Sequence, residues 1–479
     1  MDTELILGFE IHTELKTASK IFCGCPTVFG APPNTQVCPV CLGLPGVLPV
    51  LNERAVEFAL RTALALGCDI PGRATFDRKN YHYPDLPKNY QISQNYHPFG
   101  TGGAVEITLR DGTAKRIRIN NIHLEEDAGK LLHSEVPGAD WSVVDLNRAG
   151  VPLIEIVTEP DFRTPEEAQV FMQTMRSILR YIDVSDCKMQ EGSLRFEANI
   201  SVRRRGDTAL GPKVEIKNLN STKTVLRCIE HEFERQTEML ERGERVAQET
   251  RLWDEVRGCT VAMRSKEFAN DYRYFPDPDL VPVLITAEMR ERVAASLPEL
   301  PAPRRRRFAE EFGLPEYDAA ILTVDRAVAD YFEEAVRICG KAKPVSNIIM
   351  TDVLAHLNDH GLDMEDFPVP ARSLAALIGL MEEGVISTKI AKTVLRRMIE
   401  TGKEPRQIVE EEGLIQISDT PALEAIVDQV IAANAAAAEE YRAGKDKAKG
   451  RLVGEIMKAS RGKANPALVN ELIDRRLRG

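Results

Sequence analysis

Two groupings of side chains in this sequence could do chemistry. In LGFEIHTEL, Glu10 and His12 lie two residues apart and direct a carboxylate and an imidazole to one side of an extended segment. NIHLEEDAGK supplies Glu125, Glu126 and Asp127, and the alternating runs SLRFEANISVR and KVEIKN add Glu197 and Glu215. Several carboxylates and a histidine on one exposed sheet face repel one another unless positive charge sits between them. Mg²⁺ carrying ATP phosphates meets that need, because it takes oxygen ligands and keeps coordination positions open for phosphate. The competing reading is that these residues are charged only because they face water.

The second grouping is FCGCPTVFGAPPNTQVCPVCLG, which holds Cys23, Cys25, Cys38 and Cys41. Two thiolate pairs, C-x-C and C-x-x-C, on either side of a short loop suit tetrahedral Zn²⁺. Four sulfur ligands leave no open position for water or substrate, so a metal there is expected to staple a loop. The alternative is four reduced core thiols.

Cationic partners come from DRKNYHYPDLPKNYQISQ, where Arg78, Lys79 and Lys88 alternate with Tyr81, Tyr83 and Tyr90. Such a loop can pair phosphate oxygens while its rings stack on a base, or it can pack as a lid on a sheet edge. MRSKEFANDYRYFPDPDL, residues 263 to 280, has the same character. The sequence has no G-x-x-x-x-G-K-[ST] phosphate loop, and GTGG at 100 to 103 lacks the third glycine of a dinucleotide fingerprint. No Gly-flanked serine nucleophile and no Cys/His glutaminase arrangement is recognisable either. Any nucleotide binds another way, and any transferred nitrogen comes from another chain.

The elements that must position these groups are legible. Leu7, Phe9 and Ile11 oppose Glu10, His12 and Glu14; Leu194, Phe196, Ala198, Ile200 and Val202 oppose Arg195, Glu197, Asn199, Ser201 and Arg203; Val214 and Ile216 oppose Glu215. Each strand has an apolar face for a core and a polar face left over. Thr164, Pro165 and Glu167 predict a helix start with a capping box, and Val225, Ile229, Phe233 and Leu240 a helical stripe ending at Gly243. These patterns predict an α+β region with a mainly antiparallel sheet and helices on its apolar side.

Three regions differ in texture: 1–296, 297–405 and 406–479. The Pro-rich segment Leu297 to Pro303 marks the first boundary, and the two later regions are helical and alanine-rich. With 43% hydrophobic and 28% charged residues the composition is globular, no stretch is apolar enough to span a membrane, and a soluble cytoplasmic protein is expected. Nine cysteines, an odd number, argue for reduced thiols. The net charge of −11 argues against general nucleic-acid binding, yet Tyr441 to Gly479 holds eleven Lys and Arg against four Asp and Glu. A basic tail on an acidic body is the pattern of a module that docks a polyanion.

The motifs GFEIHTEL, KIFCGC, VCPVCLGLPGVLPVLN, HLEEDAGK, DLNRAGVPLIEIVTEPD, EGSLRFEANISVR, VEIKNLNS and KEFANDYRYFPDPDL, in this order, closely resemble the B-subunit family of the tRNA-dependent amidotransferase GatCAB. The resemblance runs end to end. It implies a cradle domain related to glutamine synthetase, then a helical domain and a small helical tail domain. It implies ATP- and Mg²⁺-dependent phosphorylation of the side-chain carboxylate of Glu-tRNA(Gln), Asp-tRNA(Asn) or both, then amidation by ammonia from an amidase A subunit, with a small C subunit joining the other two. By position, Glu10, His12, Glu125, Glu197 and Glu215 resemble metal and ATP ligands, while Lys79, with Arg195, resembles a phosphate-charge partner. The family usually has Asp where this chain has Glu197, a longer arm of the same charge. The tail resemblance implies tRNA contact by Lys445, Lys447, Lys449, Arg451, Lys458, Arg461 and Lys463, reading shape more than sequence.

Overall fold

A computed structural model describes residues 2–133, 141–263, 272–415, 420–460 and 464–478. The chain divides into two compact units, Met1–Pro301 and Ala302–Gly479.

The first unit is built on a nine-stranded sheet. Its strands are β1 (Thr3–Glu14), β2 (Gly100–Thr101), β3 (Ala104–Thr108), β4 (Ala114–Glu126), β5 (Pro152–Thr158), β6 (Leu194–Arg204), β7 (Val214–Lys217), β8 (Glu249–Asp254) and β9 (Cys259–Ala262). The order is β9-β8-β7-β6-β1-β5-β4-β2, with β3 also on β4. Every pairing is antiparallel except β7 with β8.

The alternation expected of β1, β6 and β7 is present. Leu7, Phe9, Ile11, Phe196, Ile200 and Ile216 are buried on one face, against helices α1 (Glu53–Ala65), α2 (Pro165–Tyr181) and α3 (Thr222–Glu241). Phe9 anchors that side, its ring 5.2 Å from Phe162, 6.2 Å from Phe171 and 5.8 Å from Phe196. Each such ring contributes roughly 1.5–3 kcal/mol by burial. Because successive strand residues point to opposite faces, burying these rings fixes which residues remain on the polar face.

At α2 the Thr164 side chain accepts from the Glu167 N–H, as the capping motif predicts. The Glu167 carboxylate reaches one residue farther back than a capping box, accepting from Arg163 N–H (2.6 Å) and Lys115 Nζ (2.7 Å). On α3 Val225 and Ile229 of the predicted stripe are buried and Phe233 packs half-buried against the same core, while the polar Glu232 and Gln236 are the fully buried residues of the next two turns. The Glu232 carboxylate is fully buried and is held by Arg235 Nε (2.8 Å), Gln236 Nε2 (3.0 Å) and Thr260 Oγ1.

The second unit is helical. One apolar core gathers residues from Phe308 to Val409, including Phe332, Leu374, Leu377 and Leu395; a separate one, from Leu423 to Leu477, belongs to helices Thr420–Ala433, Ala435–Arg442, Lys447–Ala459 and Pro466–Leu477. No described helix is long and apolar enough to cross a membrane.

Candidate active site

The polar face of the central strands carries two groups of convergent ligand atoms. His12 on β1, Glu125 on β4 and Glu155 on β5 form one; Glu10 on β1, Glu197 on β6 and Glu215 on β7 form the other. Within each group the ligand atoms all lie within 4.8 Å of one another. The register makes them: His12 stands opposite Glu155, Glu155 opposite His123, Glu10 opposite Glu197, and Asn199 opposite Glu215. Since Glu10 and His12 are two residues apart on β1, the groups are neighbours at about 7 Å along the strand.

The sequence reading expected Glu10, His12, Glu125, Glu197 and Glu215 to converge around Mg²⁺ and a nucleotide. The structure brings all five to one face but divides them into two triads. The longer arm of Glu197 still reaches its triad. Glu155 and its neighbour His123 were missed. Glu155 lies 3.4 Å from His12 Nε2 and 3.0 Å from His123 Nε2, and Glu125 lies 3.8 and 3.7 Å from the same two nitrogens.

The electrostatics follow from this proximity. Burial opposes charge on His123, but Glu155 and Glu125 outweigh it and lift its pKa to about 10. Burial also opposes charge on Glu155, yet the two imidazoles hold it well below the usual carboxylate range. Glu10 is pushed up, first by burial and then by Glu155 across the groups. His123 Nδ1 sits 2.9 Å from Asn121 Oδ1, so that bond fixes one ring proton and leaves Nε2 facing the carboxylates.

The donor sets fit divalent cations. The second triad is all oxygen, as Mg²⁺ prefers, and the first adds imidazole to two carboxylates. His12 Nδ1 and Asn199 Oδ1 are buried without a partner on this face, the kind of atoms that a ligand or water satisfies.

Lys79 belongs to the short strand Asp77–Asn80, which pairs with Tyr90–Ser93. The latter strand is stitched to the end of β4: Ser93 Oγ donates to Glu125 (3.0 Å), Ile92 N–H to Glu126 (2.9 Å), and Gln91 Nε2 to the Glu126 carbonyl (2.8 Å). Burial opposes charge on Lys79, and Glu125 is the strongest influence restoring it, so its pKa rises. Its ammonium is 5.0 Å from the Tyr272 ring centroid. Arg78, on the opposite side of that strand, is committed elsewhere. Its Nε contacts Asp277 and its other nitrogen Asp279, each at 2.7 Å, and it lies over Tyr90 at 4.3 Å. Its expected phosphate role competes with those ion pairs. Lys88 is likewise paired, with Glu126. Of the loop at 263 to 280, residues 264–271 lie outside the described residues.

Arg195 donates to Asp127 (2.9 Å) instead of standing free for phosphate. Beside that pair Glu14 is raised to about 8, by burial and then by Asp127.

The four cysteines converge. Cys23, Cys25, Cys38 and Cys41 place their sulfurs within 4.8 Å of one another, and Cys38 and Cys41 are 3.9 Å apart. Tetrahedral Zn²⁺ at about 2.3 Å per sulfur requires about 3.8 Å. The Cys38 N–H donates to Cys41 Sγ at 3.2 Å, and Gly43, with φ +64°, closes the turn where a Cβ would meet Lys88 Cγ at 2.6 Å. None of the nine cysteines is in a disulfide. Lys20 discriminates between the two readings of the cluster. Only 1% exposed, it donates to Cys41 Sγ (3.5 Å) and the Leu146 carbonyl (3.3 Å), and no described carboxylate lies within 4 Å of it. A buried ammonium needs an anion. Thiolate supplies one, and neutral core thiols do not. Cys41 is drawn down to about 4, chiefly by the Cys23 thiol against the opposing burial, with Lys20 adding to the fall.

A cleft of about 810 Å³ lies at the other end of β4, lined by Lys115, Arg116, Arg118 and Arg163 among others. Three of those cations are engaged by Glu167, Asp161 and Glu4, so the cleft is a poor rival for the chemistry.

In the tail much of the basic charge is paired, by Asp446 and Asp474 within the segment counted and by Glu424, Asp428 and Glu440 outside it. Arg475 and Arg476 pair with Glu424, Arg476 also with Asp428, Arg478 with Asp446, Lys445 with Glu440 and Lys449 with Asp474. Lys447, Arg451 and Lys458 have no such partner among the described residues. They are exposed along one face of helix Lys447–Ala459. Arg461 and Lys463 lie outside the described residues.

A mainly antiparallel sheet with two carboxylate-rich triads on its open face, followed by helical domains, defines the class. Residues 5–291 match the family described as the GatB/GatE catalytic domain, and residues 330–477 the one described as the GatB domain. The chain is similar to the B subunit of the aspartyl/glutamyl-tRNA(Asn/Gln) amidotransferase of Moorella thermoacetica, 57% identical with both chains fully covered. Its counterparts of the same name in Carboxydothermus hydrogenoformans and Geotalea daltonii are 53% identical over 98% of each chain and 52% identical over all of each. The chain belongs to the GatB family of amidotransferase B subunits.

Proposed function

We propose that this chain activates the side-chain carboxylate of Glu on tRNA(Gln), Asp on tRNA(Asn) or both by ATP-dependent phosphorylation, and that ammonia then displaces phosphate to give the amide. The observation that carries this reading is the pair of neighbouring triads, His12–Glu125–Glu155 and Glu10–Glu197–Glu215, on one open sheet face. A carboxylate is a poor acceptor for ammonia because its oxygen leaves badly, and phosphorylation converts it into a leaving group. Divalent cations held by the triads would neutralise the nucleotide phosphates during transfer. Lys79 contributes a fixed positive charge beside Glu125 and Glu155, screened from water by Tyr272 and Tyr81. Glu125 and Glu155 orient both imidazoles, and Asn121 holds His123 in one ring orientation. Zn²⁺ on Cys23, Cys25, Cys38 and Cys41, balanced by Lys20, is structural. The loop it closes grips residues 144–147: Asn34 bonds the Val144 carbonyl (2.9 Å) and the Leu146 N–H (2.8 Å), and Asn147 Oδ1 accepts from Gln36 N–H (2.8 Å).

The partners of this reading are an amidase A subunit that releases ammonia from glutamine, a small C subunit, and misacylated tRNA, met in the cytoplasm where translation proceeds. Lys447, Arg451 and Lys458 are the tail residues best placed for RNA phosphates. The test uses the assembled complex with misacylated tRNA. Amide formation is expected to require ATP and to collapse in Glu10→Gln and Glu125→Gln while tRNA binding survives; amidation that proceeds equally without ATP refutes the proposal.

A further inference from the structure

The second triad already contains a cation. Lys217 Nζ lies 3.2 Å from Glu197 and 3.2 Å from Glu215, and Lys213 Nζ lies 3.8 Å from Glu10. Lys217 is two residues from Glu215 on β7, so its side chain is on the same face. The side chains hydrogen-bonded to the triad are neutral, Asn199 donating to Glu10 at 2.9 Å and Thr250 to Glu215 at 2.8 Å, and Glu155 of the neighbouring group adds further negative charge beside Glu10. Three carboxylates therefore meet two lysines, and Lys217 occupies the edge between two of the three oxygen ligands. Divalent ions bind oxygen at about 2.0–2.6 Å, closer than this ammonium stands. An ion bound to Glu197 and Glu215 and an ammonium holding the same oxygens repel each other, and Lys217, 42% exposed with a flexible stem, is the one free to move.

We infer that Lys217 is a tethered counter-ion of the Glu10–Glu197–Glu215 triad, released by a divalent cation and turned to the anion that the cation brings. Before loading, it keeps three like charges assembled at their ligand spacing. Afterwards it contributes a positive charge beside a nucleotide phosphate, so cation and phosphate load together. The inference rests on the proposed metal role of this triad and makes Lys217 a positioning residue.

The test is Mn²⁺ binding to the purified full chain, followed by the spin-resonance signal of free Mn²⁺, in wild type, Lys217→Met, Lys217→Arg and Glu215→Gln. Lys217→Met is expected to bind Mn²⁺ about five-fold or more tightly at one site in the absence of nucleotide, since a nearby like charge is gone. Lys217→Arg is expected to restore wild-type Mn²⁺ affinity. With the assembled complex, Lys217→Met is expected to raise KM for ATP. Unchanged or weaker Mn²⁺ binding in Lys217→Met, with Glu215→Gln losing one equivalent, overturns the Lys217 inference alone. If Glu215→Gln also leaves Mn²⁺ binding untouched, the triad is not a metal site and the reading beneath the inference fails with it. A Lys217→Met chain with less secondary structure by circular dichroism than Lys217→Arg marks the lysine as structural and counts against the inference.

Discussion

Glu155→Gln is the sharpest perturbation of the first triad, because one carboxylate serves two imidazoles. Glutamine keeps the size but offers one acceptor oxygen and one NH₂ group, so at most one of the two contacts, 3.4 Å to His12 and 3.0 Å to His123, stays favourable. Removing one partner of a buried charge pair costs about 3–5 kcal/mol, and deprotonation of the imidazoles relieves part of it. That relief has a pH signature. His123 is raised to about 10 in the folded chain from an ordinary 6.5, so its contribution to stability is complete below pH 6.5 and disappears as pH rises toward 10. The slope it can impose is at most about 1.4 kcal/mol per pH unit. Glu14, raised to about 8, also lowers stability as pH rises, and it is present in both proteins. Urea denaturation with chelator present, between pH 6.5 and 10, should give a steeper loss of stability for wild type than for Glu155→Gln. Parallel curves would show that Glu155 does not hold the imidazole proton, and the electrostatic account of this triad would be wrong.

Three further outcomes are expected. Lys20→Met should weaken zinc retention about 10–100-fold in a chelator competition, as loss of a group supporting metal ligands does; unchanged retention would remove Lys20 from the charge balance of the cluster. Joint replacement of Lys447, Arg451 and Lys458 by Ala should weaken tRNA binding and lower its log–log salt slope by about 2–3, and more than replacement of Lys445 and Lys449, whose charges are shared with Glu440 and Asp474. Glu232→Gln should cost about 3–5 kcal/mol in urea denaturation at neutral pH. Arg235, Gln236 and Thr260 outweigh burial and keep this carboxylate below its ordinary pKa of 4.5, so the loss should shrink as acid protonates the wild type below that value.

Much of this was legible in the sequence for a simple reason. Strands with one buried face announce themselves by alternation, so β1, β6 and β7 displayed Glu10, His12, Glu197 and Glu215 directly, and two cysteine pairs need only spacing. Glu155 was hidden because β5 is central: in PLIEIVT the residues flanking it in both directions are apolar, leaving no alternation to expose it. A lone acid inside such a run was the available signal. His123 alternates with Ile122 and Leu124 and could have been read from the same rule. Pairings between distant segments left no local trace. Asp277 and Asp279 claim Arg78 from about two hundred residues away, and Glu424 and Asp428 neutralise tail arginines that a count begun at Tyr441 leaves uncompensated. The contact of Lys217 with Glu197, 3.2 Å across two strands, left no local trace either.

The central claim is that the two triads serve transfer of a phosphoryl group to a side-chain carboxylate, and oxygen itself can report it. The assembled complex would be given ATP, glutamine and tRNA carrying Glu or Asp labelled with ¹⁸O in the side-chain carboxylate, and the released inorganic phosphate analysed by mass spectrometry. One ¹⁸O atom per phosphate, for each amide formed, is the predicted result. Amide formed with unlabelled phosphate would contradict it.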